Sequence, residues 1–215
     1  MNEPQSAIDP AWLQRNLTEP QEVIAFYDDW AASYNETLQA WHYKSPEVAA
    51  RLMAQYVTTD GRILDAGCGT GLTGKALQQV GFGHIVGLDL SLKSLAEAEQ
   101  SDAYKQVQAH NLQERPFPFP DNHFAGLECI GVLTYIQDIQ ALFIEYCRLV
   151  QPEGIIIFSQ RQDLYEARGY AHTLKQLETA GLWQEIYQSE PMPYLPHVDS
   201  GLTTPVLYFV YRVKS

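Results

Sequence analysis

Between residue 61 and about residue 181, short β-type runs alternate with amphipathic helical segments. No other feature of the chain restricts its fold so strongly. Arg62-Ile63-Leu64-Asp65-Ala66 reads as a strand, Thr70 to Val80 as a helix, and His84 to Asp89 as a second strand. Ser91 stands where a cap would open a helix over Leu92 to Gln100. Tyr104 to Ala109, Phe124 to Gly131 and Gly154 to Gln160 supply three further strands, with a helix from Ile136 to Val150 before the last. Gly169 to Ala180 is helical and Gly181 stops it. Such alternation predicts a parallel sheet with helices on both faces. The two closing strands, Trp183 to Ser189 and Val206 to Val213, have no helix between them, so they predict an antiparallel pair. The expected fold is α/β, a Rossmann-like doubly wound sheet of about seven strands. Most are parallel, with one antiparallel strand near the edge.

The first sixty residues carry a different rhythm. After Pro20, the residues Val23, Phe26, Tyr27, Trp30, Tyr34 and Leu38 recur at helical spacing. Ser45-Pro46-Glu47 reads as an N-cap followed by proline at the first helical position, with Val48, Leu52 and Val57 turned inward. Residues 1–60 are thus expected to form helices covering a core of residues 61–215, all in one compact domain.

Charge and composition exclude several function classes. Asp plus Glu exceed Lys plus Arg by 26 to 14, a net charge of −12. That balance disfavours binding to nucleic acid or to an anionic membrane surface. Cys68, Cys129 and Cys147 are odd in number, widely spaced and set in apolar runs, which suits reduced thiols rather than a disulfide framework or a metal cluster. Met1 to Gln5 lack the basic and apolar segments of an export signal, and no apolar run approaches the ~20 residues that span a bilayer. A cytoplasmic protein, with no metal and no membrane partner, is the expectation.

The chemistry is carried by Ile63-Leu64-Asp65-Ala66-Gly67-Cys68-Gly69-Thr70-Gly71, at the turn from the first strand into a helix. Glycines there let the backbone come close to a ligand, and ligands of open α/β sheets bind beyond the carboxyl ends of the strands. Asp89 ends the second strand, where a carboxylate can accept hydrogen bonds from two ribose hydroxyls. Two cofactors fit. Gly69-x-Gly71-x-x-Gly74 satisfies the dinucleotide fingerprint, with Asp89 at the expected interval of about 20 residues. The same residues, with Asp65 ahead of them, also form D-x-G-x-G-x-G.

That longer string resembles the first motif of the class I S-adenosylmethionine-dependent methyltransferases. Pro118-Phe119-Pro120-Asp121-Asn122-His123-Phe124 resembles the run leading into their fourth strand, with Ala125 where an Asp is usual. Leu149-Val150-Gln151-Pro152-Glu153-Gly154 resembles the turn before their fifth strand, with Glu153 in place of a glycine. Tyr27 to Asn35 and Ile130 to Tyr135 are similar to the methyltransferase-like family named for the Williams–Beuren chromosomal region. The resemblance implies a transferase that binds S-adenosyl-L-methionine and releases S-adenosyl-L-homocysteine. It implies cofactor contacts from Gly67, Gly69, Gly71, Asp89 and Leu90, and from Asp65 through the loop or a water. Asn111 would meet the adenine amino group, Leu112 would lie beside the ring, and Ile130 would face the reaction centre. Tyr27, Trp30 and Tyr34 would cover the cofactor, although a stripe of this kind also suits plain core packing.

The N-terminal helices and the loop from Pro191 to Asp199 are expected to hold the acceptor. Trp41, Tyr43, Tyr135, Tyr194 and His197 are the substrate-side candidates, with His197 the sole catalytic candidate. The expected reaction is in-line methyl transfer to a small-molecule O, N or S nucleophile, with a base needed only if the acceptor arrives protonated. No D/N-P-P-Y string and no Pro-Cys pair points to a nucleic-acid base as acceptor. A nicotinamide-dependent oxidoreductase and a non-catalytic cofactor-binding partner subunit stay open as alternatives, and the oligomeric state is not legible.

Overall fold

The computed structural model of the chain describes residues 17–198 and 204–215. Met1 to Gln5 and Asp199 lie outside the described residues. Seven strands form one sheet in the order β3-β2-β1-β4-β5-β7-β6. They are β1 (Arg62–Ala66), β2 (His84–Asp89), β3 (Gln106–Ala109), β4 (Phe124–Cys129), β5 (Val150–Arg161), β6 (Trp183–Gln188) and β7 (Val206–Val213). The first five run parallel, and β7 pairs antiparallel with both β5 and β6. The reversed strand therefore lies one place in from the edge.

Helices cover both faces: α1 (Pro20–Ala40), α2 (Ser45–Tyr56), α3 (Leu72–Gln79), α4 (Leu92–Gln100), α5 (Ile139–Leu149), α6 (Gln162–Ala167) and α7 (Tyr170–Thr179). Helix α2 opens one residue earlier than a Ser45 cap would allow. Lys44 is its N-cap, and the Ser45 hydroxyl instead meets Tyr208 Oη at 2.7 Å. Ser91 does cap α4, accepting from the Ser94 amide. Asp138 caps α5 through the Ala141 amide, which delays that helix beyond Ile136. The short α6 and a 3₁₀ turn at Leu133–Tyr135 are additions that periodicity did not reveal.

Two buried layers flank the sheet. Leu64, Leu127, Phe158 and Phe209 face α5 and α7, against Phe143, Tyr146 and Trp183. Ile63, Ile85, Ile157 and Val210 face the other side, against Met53, Ala49 and Leu77 of α2 and α3. Each of these large side chains contributes roughly 1.5–3 kcal/mol on burial. Helix α2 thus belongs to the helical layer of the sheet. Helix α1 does not: it rests on α4 and builds its own small cluster from Trp30 and Leu38 with Leu195. Among the described residues, no helix is long and apolar enough to cross a membrane.

Connections from β1 lead to β2 on one side, and the chain returns from β3 to β4 on the other side of β1. That reversal opens a crevice beyond the carboxyl ends of β1 and β4. Helix α1 lies across it.

Candidate functional site

The crevice is a cleft with about 700 Å³ of atom-free space, part of it open to solvent. Its floor is the turn from β1 into α3. The amides of Gly67 and Cys68 both donate to the Leu88 carbonyl, at 2.7 and 2.9 Å, which ties the turn to the end of β2. Gly69 then donates its N–H to Asp89 Oδ2 at 2.9 Å, and Ser91 donates to Oδ1 at 2.9 Å. A carboxylate has about four acceptor positions, so Asp89 keeps capacity for a further donor. Burial raises its pKa above the usual carboxylate range, and the amides of Ser91, Gly69 and Leu90 oppose that shift.

Gly69 is the point of closest ligand access. Its φ is +52°, and a Cβ placed there would meet nothing within 4 Å. The space above it is cleft. Gly74, by contrast, is accounted for by packing: a Cβ there would stand 2.3 Å from the Tyr104 ring. Its amide donates to Tyr104 Oη at 2.9 Å. The third glycine of the dinucleotide fingerprint therefore serves an aromatic neighbour. Gly71 also lies off the cleft wall, at the start of α3, with its Cα turned toward Ala98 and Tyr104.

Several candidates meet in this cleft. Gly67, Gly69, Asp89 and Leu90 line it beyond β1 and β2; Asn111 and Leu112 line it beyond β3, and Ile130 beyond β4. Tyr27, Tyr34 and Tyr135 close the end beneath α1. Tyr27 Oη and Tyr135 Oη are 2.7 Å apart. Burial and the neighbouring phenols push Tyr27 and Tyr34 well above the usual phenol range, and burial raises Tyr135 in the same direction. These groups stay neutral at physiological pH and offer hydrogen bonds, not bases. Asn111 has its amide tied locally, with Oδ1 accepting from the Gln113 amide at 3.0 Å and Nδ2 donating to Glu114 at 3.2 Å. Val23, Val132 and Ile136 complete the apolar wall and were not singled out by the sequence. Val23 carried a signal, since it shares the stripe of Tyr27 and Tyr34.

Other candidates lie elsewhere. Asp65 is fully buried behind the turn, accepting from the hydroxyls of Thr73 and, at 2.7 Å, Tyr104. Trp30 is 1% exposed and stacks within the α1 cluster, 4.5 Å from the Tyr34 ring and 6.0 Å from Trp41. Tyr27, Trp30, Tyr34, Trp41, Tyr43 and Tyr194 wall a second, narrower chamber against Gly131. It shares Tyr27, Tyr34 and Gly131 with the cleft, so the two adjoin. The Tyr43 and Tyr194 rings meet edge to face at 5.4 Å. His197 lines neither space; its ring stacks on His42 at 3.7 Å.

Helix α1 is fastened over the cleft by side chains. Asp28 Oδ1 accepts from Ser91 Oγ at 2.5 Å, and Asn35 Oδ1 accepts from Thr70 Oγ at 2.6 Å. Both partners follow directly on cleft residues, Asp89–Leu90 and Gly69.

The residues present suit S-adenosyl-L-methionine. Asp89 has acceptor capacity for a hydroxyl, the turn at Gly69 leaves room for close approach, Leu112 and Ile130 are apolar, and the phenol faces of α1 attract a sulfonium. Residues 64–158 match the family described as a methyltransferase domain. The chain is 28% identical over 169 residues to human methyltransferase-like protein 27, covering 76% of this chain and 69% of that protein. It is 31% identical over 105 residues to a ubiquinone biosynthesis O-methyltransferase of Alkalilimnicola ehrlichii, covering 46% of this chain and 40% of that one. Among solved structures, a methyltransferase in a complex with the Haloferax volcanii Trm112 methyltransferase activator superposes with a TM-score of 0.70 at 18% identity, over 88% of this chain and 98% of that one.

Proposed function

This chain belongs to the class I S-adenosylmethionine-dependent methyltransferases, and from that premise we propose that it methylates a small-molecule O, N or S nucleophile by in-line transfer. The observation that carries this reading is the junction of two spaces: a cleft on Asp89 and Gly69, and a tyrosine-lined chamber against Gly131. When bound, S-adenosyl-L-methionine supplies an electrophilic methyl group on a sulfonium and leaves as S-adenosyl-L-homocysteine.

The chain's residues divide the remaining work. Asp89 holds a ribose hydroxyl with the acceptor capacity that the backbone amides leave over. Leu112 lies beside the base, Asn111 meets its edge, and Ile130 faces the reaction centre. Tyr27, Tyr34 and Tyr135 screen the reacting end from water. Helix α1 acts as a lid, because among the described residues it stands off the sheet where α2 packs on it. Tyr43 and Tyr194, with Trp41, hold the acceptor in the adjoining chamber, where alignment supplies much of the acceleration. A small acceptor fits the enclosed walls better than a polymer does, and the net charge of −12 repels a polyanion. The ubiquinone biosynthesis O-methyltransferase among the relatives carries a small-molecule acceptor in its name, which favours the same class. Three free, buried thiols support a reducing, cytoplasmic setting.

Titration calorimetry with S-adenosyl-L-homocysteine tests the cleft, and a metabolite library with labelled S-adenosyl-L-methionine then tests the acceptor. Saturable binding of the product, and label on a small molecule, are expected. Binding of a nicotinamide dinucleotide alone would overturn the cofactor assignment; label on RNA would overturn the acceptor class.

A further inference from the structure

Glu128 is a charged residue in the middle of a buried parallel strand, where near-continuous apolar sequence is the rule. Its register partner on β1 is Asp65. Directly paired residues of neighbouring strands lie about 4.8 Å apart and point to the same face. Both side chains are fully buried. Glu128's partner on its other flank, Ile157 of β5, is apolar.

The oxygens of the two carboxyls are unequally satisfied. Asp65 Oδ2 accepts from the hydroxyls of Thr73 and Tyr104. Asp65 Oδ1 and both oxygens of Glu128 have no hydrogen-bond partner among the described residues. Two carboxylates cannot bond to one another, whereas a carboxylic acid and a carboxylate can. Leaving both ionised would bury two like charges side by side without compensation, which is far more costly than keeping one proton.

We propose that Glu128 and Asp65 share one proton between β4 and β1, and that this makes Glu128 a positioning residue for the turn that leads from β1 into α3. The proton turns Glu128 into a donor for Asp65 Oδ1 and fixes the Asp65 side chain from behind. Asp65 Oδ2 is then set to receive Thr73 and Tyr104, and Tyr104 Oη in turn receives the Gly74 amide. That chain of bonds pins the first turn of α3, immediately after Gly67 to Gly71. Glu128 touches neither the cleft nor the narrower chamber, so it acts only through Asp65.

The electrostatics agree in direction. Burial and the neighbouring Asp65 push Glu128 well above the carboxylate range. Burial raises Asp65 to about 7, against the hydroxyls of Thr73 and Tyr104, with Asp89 adding to the rise. The titratable groups coupled to the pair are Asp89 of β2, Cys68 and Tyr104 on one side and Cys129 and Tyr146 on the other. None of these is a cation, so nothing among them offsets a second negative charge.

Infrared spectroscopy of the intact protein at neutral pH tests the shared proton directly. Wild type should show the carbonyl stretch of a protonated carboxylic acid, and E128Q should lose it. No such band in wild type, or an unchanged band in E128Q, overturns the proposal. Thermal melts at about pH 5 and about pH 8 give a second readout. A carboxyl raised on folding adds stability below its unfolded pKa and loses it as pH rises through the folded one. Wild type should therefore lose stability as pH rises from the ordinary carboxylate range toward the raised position of Glu128. E128Q donates a permanent amide N–H and should be flatter over that range; an unflattened profile refutes the pair. For the positioning role, E128Q should keep affinity for S-adenosyl-L-homocysteine within about twofold, and E128L should lose about tenfold or more. Equal affinities in E128Q and E128L would refute it, and an E128L that cannot fold where E128Q folds supports the need for a donor. This last arm rests on the proposed cofactor. If wild type binds no S-adenosyl-L-homocysteine, the functional reading fails, while the infrared band still decides the proton pair.

Discussion

Replacing Asp89 by alanine should damage cofactor binding more than any other single change in the cleft. In the free protein the carboxylate already holds the amides of Gly69 and Ser91, each at 2.9 Å. Those bonds exist with and without ligand, so their loss enters the binding energy only through a looser turn. The direct loss is the hydroxyl contact that the remaining acceptor capacity would make, ~1.5–3 kcal/mol for a hydrogen bond to a charged group. Water entering the space left by the carboxylate recovers part of this, so a fall of about tenfold is expected. Calorimetry with S-adenosyl-L-homocysteine on protein checked for an intact melting transition measures it. The sign with pH is also set. Because burial raises Asp89, its carboxylate is protonated on acidification earlier than an ordinary carboxylate, and affinity should decline over that range in wild type only. Unchanged affinity in folded Asp89→Ala would refute Asp89 as the ribose anchor.

Three further outcomes follow from the same geometry. Gly69→Val should lower affinity more than stability: its Cβ meets no atom within 4 Å, so only the φ of +52° costs the fold, roughly 1–3 kcal/mol. Comparing melts with product affinity per folded molecule checks this, and normal affinity would make the glycine structural only. Hydrogen exchange over residues 21–40 should slow when S-adenosyl-L-homocysteine binds, because α1 is tied to the cleft through Asp28–Ser91 and Asn35–Thr70; equal exchange would return α1 to a static packing role. Tyr194→Ala should lower methyl transfer to the acceptor found by screening, while product affinity stays within about twofold, or ~0.4 kcal/mol. Full turnover would displace the acceptor from the chamber beside Gly131.

What the sequence disclosed, and what it withheld, follows from how each residue reaches its neighbours. Strands β1, β2 and β4 were legible because their apolar runs are bounded by glycines or caps, β7 because its apolar run follows a proline, and the lack of a helical pattern between β6 and β7 in the sequence marked the reversal. Asp89 and Gly69 were legible because both lie on one strand–turn–helix unit, where local spacing dictates position. The aromatic stripe was legible only as a face. Tyr27 and Tyr34 are seven residues apart, two turns on the same side, and both reach the cleft. Trp30 sits between them, yet its indole turns to Trp41 and Leu195, because the stripe is wider than the cleft and periodicity carries no depth. The short α6 escaped because Leu164 is its only buried side chain. Gly74 gave a false dinucleotide signal, since a glycine demanded by the Tyr104 ring has the same letter as one demanded by a pyrophosphate. Glu128 escaped for the opposite reason. In Phe124 to Gly131 the apolar rhythm announces a buried strand, and a carboxyl inside it makes sense only once β4 lies beside β1 and Asp65 stands opposite. The acceptor chamber was legible as two separate segments, not as one space. Its tyrosines come from α1, from the adjoining corner before α2 and from the distant loop before β7, so their meeting against Gly131 appears only in the tertiary structure. Residues whose chemistry depends on a partner from another segment are the ones that only a tertiary structure can identify.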